Sequence, residues 1–145
     1  MTSQQQTDRG RWWSMLHLIT LFFWVTAMLW LSLTPAPPAP PDLLAWDKMQ
    51  HALAYGILTL LSAPLWRRLN RGPLFTWGAA VLVTVLFGGG LELAQGCMTT
   101  TRQAEWADLV ADLTGAIFAA GGGVLVIDRG AVFRRKRLNS RSKGS

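Results

Sequence analysis

Four long apolar runs, at 14–33, 47–66, 74–95 and 106–127, leave this 145-residue chain few options. Each is long enough, at about 1.5 Å per residue, to cross a hydrocarbon core of about 30 Å as a helix. A water-soluble domain of this size has no core large enough to hide all four. The composition agrees, with 50% hydrophobic residues, 15% charged and eight Trp. The expected fold class is an all-α membrane protein with four transmembrane helices. Cys97 stands alone, so no intrachain disulfide forms.

The flanking segments divide the rest. Residues 1–13 are a polar N-terminus, expected to be disordered up to Arg11, with Trp12 and Trp13 at the membrane interface. The first run is longer than the ~7–15 residues of a signal-peptide core, and the prolines that follow it make a poor cleavage site. Residues 34–41 cannot continue a helix, because proline lacks the N–H and fixes φ; they form a stiff outer strap. Residues 14–127 are the membrane domain. Residues 128–145 are a basic tail, expected to be disordered and to meet anionic lipid headgroups rather than nucleic acid, since it abuts a span.

Orientation follows from charge. Twelve of the fourteen Lys and Arg fall in the N-terminus, the 67–72 turn and the tail, leaving Lys48 and Arg102 opposite. The positive-inside rule then places both termini in the cytoplasm. The acids do the reverse. Asp42, Asp47, Glu92, Glu105, Asp108 and Asp112, six of eight, map to the outer ends of helices two to four.

Carboxylates in such apolar runs are costly, so they need partners or a task. On a helix, Glu105, Asp108 and Asp112 fall within about 60° of one another. Asp47, His51 and Tyr55 form a second stripe at i, i+4 and i+8, Lys48 lies beside it, and Glu92 shares a face with Gln95. Arg102 lies in the loop between. Asp47 alone has a simpler role open to it, as a first-turn acid facing the helix dipole. Together these residues outline one outer-leaflet polar cavity. The hydrogen-bonding part of Asp112 depends on its protonation: a carboxylic acid donates, a carboxylate only accepts.

Small residues show how the helices approach. Ala111, Gly115, Ala119 and Gly123 recur every four residues and give helix four a flat face for a neighbour's backbone. Gly88, Gly89 and Gly90 do the same for helix three and mark a place for a bend.

The order of these features resembles one family. A Pro-rich outer loop, Asp47-Lys48-x-x-His51 with Tyr55, Glu92-x-x-Gln95, Arg102, and Asp108-x-x-x-Asp112-x-x-Gly115 look like the VanZ-like family. These are small bacterial membrane proteins named for a teicoplanin-resistance accessory protein. The resemblance covers roughly residues 14–127. It departs at Asp112, where the family usually has Asn. It implies a bacterial inner-membrane location and an envelope role without naming a reaction.

Three function classes remain open. In the first, the cavity binds an envelope component such as a lipid-linked precursor or a glycopeptide, its mixed donors and acceptors matching hydroxyls and amides. In the second, His51 with Glu92, Asp108 or Asp112 performs metal-dependent or acid–base catalysis. The chain lacks HxxxH and HExxH, so no metal ligand and no cofactor is assigned, and His17 lies in an apolar run away from the cluster. In the third, the polar groups only brace the helices and function resides in protein partners.

Overall fold

The computed structural model describes residues 3–34, 44–98 and 105–129, which form helices and short links. The elements are α1 (Ser3–Leu33), α2 (Leu44–Arg67), α3 (Pro73–Met98) and α4 (Trp106–Gly123), the last prolonged by a π-helical turn, Val124–Asp128. The proline strap, Arg102 and the tail beyond Arg129 lie outside the described residues.

The helix boundaries correct the sequence expectation in four places, the first being α2, which starts at Leu44, three residues before the expected Asp47. Helix α1 starts at Ser3 instead of after Arg11, because its Gln-rich first turns are acceptable helix formers with no proline to interrupt them. Helix α3 continues to Met98, three residues past the expected end of the run at Gln95. Asp128, expected to open the disordered tail, instead ends the π-helical turn. Between α2 and α3 the chain reverses through Asn70 and Gly72, both at positive φ (52° and 87°), a conformation these two residue types tolerate best.

Polarity is inverted relative to a protein that folds in water. The largest fully buried side chains are Thr59, Thr84 and Asp112, whereas Phe22, Phe23, Trp30, Leu86 and Phe118 are exposed. Three segments, Asp8–Leu33, Pro73–Met98 and Trp106–Asp128, are long and apolar enough to cross a membrane, as in a multi-pass membrane protein. Helix α2 is of similar length, at 24 residues, but is not among these three. Its polar residues Tyr55, Thr59 and Ser62 are buried, while Leu53, Ile57 and Leu60 are exposed.

Helices α2, α3 and α4 form the core, with α1 at its edge. The closest approach is between α2 and α4. There a Cβ at Gly115 would run into the backbone of Ala52, and one at Gly56 would sit 3.2 Å from the Gly115 carbonyl oxygen. Ala119 adjoins Gly56 in the same seam, and Gly123 lies under the ring of Trp77 from α3. With no hydrophobic drive between helices in lipid, this backbone proximity supplies much of the attraction. Helix α1 has one buried residue with a described side chain, Met28, which packs with Tyr55 and Leu58. Its polar attachments are Trp24 Nε1 donating to the Ala54 carbonyl (3.1 Å) and Gln95 Nε2 donating to the Ser32 carbonyl (3.0 Å).

Candidate functional site

The chain path decides what meets what. Antiparallel neighbours place the C-terminal ends of α1 and α3 beside the N-terminal ends of α2 and α4. The acids of α4 therefore face the first turns of α2 and the last turns of α3. Glu105, in extended conformation, is the N-cap of α4, and Asp108 lies in its first turn, where an acid suits the exposed N–H groups.

Two polar layers result. In the outer one, Lys48 Nζ donates to Asp108 Oδ1 (3.0 Å) and to Glu105 Oε2 (3.3 Å). Lys48 is about a third exposed, so this layer is partly solvated. In the inner one, one turn further along both helices, His51 Nδ1 and Asp112 Oδ1 lie 3.0 Å apart. Asp112 is completely buried. From α3, Glu92 Oε2 accepts the backbone N–H of Glu105 at 3.1 Å, which ties the end of α3 to the start of α4. The ring of Tyr55 lies nearly parallel to His51, with centroids 6.1 Å apart and planes 11° from parallel, so the imidazole meets Tyr55 on one face and Asp112 at its Nδ1 edge.

Two openings reach this cluster. A cavity of about 360 Å³ between α1 and α2 is lined by Asp47, Gln50, His51 and Tyr55 on one side, and by Met28 and Leu31 among the apolar residues. A second, of about 610 Å³, lies between α3 and α4; Val85, Leu86 and Leu93 line it, and Glu92 and Glu105 mark its polar end.

No family model, curated protein or solved structure matches the chain. The site is interpretable only through its own chemistry. A carboxylate held on one imidazole nitrogen fixes the ring and favours proton movement at the other. The structure brings Lys48, His51, Tyr55, Glu92, Asp108 and Asp112 together. Asp47 borders the first cavity, Gln95 turns toward α1, and Arg102 lies outside the described residues.

Other polar contacts had only faint sequence signals. Glu105 serves twice, through its carboxylate and its N–H. At the opposite end of the bundle, Asp128 Oδ1 accepts from Arg67 (2.6 Å) and Oδ2 from Trp77 Nε1 (2.7 Å). A lone acid directly after an apolar run, facing a basic turn across the bundle, was the available clue. The Thr59 and Thr84 hydroxyls meet at 3.2 Å inside the core, and Thr59 also donates to the Tyr55 carbonyl.

Proposed function

We propose that this is a four-span protein of a bacterial cytoplasmic membrane, with both termini inside, whose polar end binds the headgroup of an amphiphilic envelope component. The class envisaged is a lipid-linked precursor, or the glycopeptide that targets one, in line with the resemblance to the VanZ-like family. Helix α2 is the fourth span: 24 residues reach about 36 Å at ~1.5 Å each, and its outward face is apolar. The basic tail rests on anionic headgroups of the inner leaflet.

The observation that carries this reading is the two-faced character of the α1–α2 cavity. Asp47, Gln50 and His51 offer donors and acceptors beside an apolar wall of Met28, Leu31 and Ala54. A ligand with a hydroxyl- or amide-rich head and an acyl tail satisfies both at once, whereas a fully polar solute satisfies one. Asp47→Asn and Gln50→Leu test it, because both line the cavity while sparing the inner cluster. Susceptibility to glycopeptides and envelope stress is measured beside protein level and melting temperature. Loss of the phenotype in a protein that accumulates and melts normally is expected. An unchanged phenotype in both variants would sink the reading, and parallel loss of stability and phenotype would favour a purely bracing role.

The His51–Asp112 pair favours a second reading, acid–base catalysis on such a component. Turnover of a lipid-linked substrate by purified protein, abolished in His51→Gln, would select it over binding alone.

A further inference from the structure

We propose that His51, Glu92 and Asp112 form a binding site for a first-row divalent cation such as Zn²⁺ or Mn²⁺. The three come from α2, α3 and α4, and one potential ligand atom from each lies within 4.8 Å of the other two. A tetrahedral site with bonds of about 2.0–2.1 Å has ligand atoms about 3.3 Å apart, so small side-chain rotations close the set around an ion. The 3.0 Å contact between His51 Nδ1 and Asp112 Oδ1 already brings two of the three side chains together.

The independent pointer is Asp112 Oδ2. It is buried and has no hydrogen-bond partner among the described residues. Such an atom is costly unless something satisfies it. Its direction is informative. Oδ1 is engaged by His51 of α2, while Oδ2 points at α3 beside Gly88, one turn before Glu92. The unmet acceptor thus lies on the α3 side of Asp112, the side from which Glu92 comes.

Charge gives the same answer. Among the described residues no Lys or Arg pairs with Glu92 or Asp112, and Lys48 is occupied by Glu105 and Asp108. Two carboxylates and a neutral imidazole around a divalent cation are electrically neutral, the form a membrane interior tolerates best. A borderline donor set of one nitrogen and two oxygens suits Zn²⁺ or Mn²⁺. Asp47, His51 and Asp108 also lie close enough to share an ion, but Asp108 is already committed to Lys48 and the group is more open. Supporting contacts are in place, since the Glu105 N–H holds Glu92 and the Tyr55 ring holds His51. Three protein ligands leave a fourth position for water or a ligand oxygen.

The test uses the full chain, purified in detergent without chelator. Elemental analysis should find about one Zn or Mn per chain. EDTA should lower the melting temperature, and Zn²⁺ or Mn²⁺ should restore it. His51→Ala and Glu92→Gln should lose both the metal and the response to chelator, while Leu125→Ala, at an exposed position toward the opposite end of the bundle, keeps them. Metal-free protein whose melting temperature responds to neither ion overturns the proposal. Equal metal in wild type and both ligand variants also overturns it. Should either variant fail to accumulate, the wild-type arms decide the question alone. None of these readouts depends on envelope phenotype, so the metal site and the headgroup reading fail separately.

Discussion

Gly88 and Asp112 face each other across the α3–α4 contact so closely that a Cβ on Gly88 would lie 2.6 Å from Asp112 Oδ2. The same added atom would stand 2.8 Å from Cε1 of Tyr55. Space at this point in α3 is therefore what admits a buried carboxylate to the middle of the core.

Gly88→Ala should lower the melting temperature in detergent, because both neighbours are themselves packed; crowding of this kind costs about 1–3 kcal/mol. Gly90→Ala, two residues on, meets nothing within 4 Å and should be neutral or slightly stabilising. Equal melting temperatures for the two variants would show that α3 and α4 separate easily.

The α2–α4 seam makes a sharper demand. Gly115→Ala drives a methyl into the Ala52 backbone, which cannot rotate away, and Ala119→Leu adds bulk in the same seam. Both should destabilise clearly, while Leu125→Ala, at an exposed position, should be mild. Thermal melts in detergent decide it. Unchanged stability in Ala119→Leu would mean that the seam yields.

At the opposite end, Asp128→Ala should destabilise more than Arg67→Ala. Arg67 is substantially exposed, and exposed ion pairs contribute about 0–1 kcal/mol. Losing Asp128 also strands the indole N–H of Trp77, whose side chain is buried, at a cost of about 1–3 kcal/mol. The comparison of the two melting temperatures checks the order.

Cys97 is exposed near the end of α3, the end that carries the candidate site. With the proposed orientation, a membrane-impermeant thiol reagent labels it in intact spheroplasts. Labelling only after lysis would invert the topology and move the site to the cytoplasmic face.

Much of the architecture was legible because lipid imposes strong rules. Apolar length located the three membrane-length segments, and proline and glycine punctuated them. Helical spacing put Asp47, His51 and Tyr55 on one stripe, and an antiparallel path set that stripe beside the acids of α4. What stayed hidden depended on pairing between distant residues. Nothing local to Asp128 marks it as the acceptor for Trp77, fifty-one residues away. Spacing along α4 could not reveal that Asp112 shares one oxygen with His51 while the other meets no hydrogen-bond partner among the described residues. Nor does a Gln-rich segment announce whether a helix behind Trp12 will extend through it.

The inverted polarity has a thermodynamic consequence. Thr59, Thr84 and Asp112 are the largest side chains fully withdrawn from the surroundings, and the apolar ones mostly face outward. Separating these helices within a bilayer would transfer little hydrocarbon into water, and that transfer is what gives unfolding its large heat-capacity change. The stability curve of this bundle in lipid should be nearly straight with temperature, without the low-temperature maximum of a water-soluble domain.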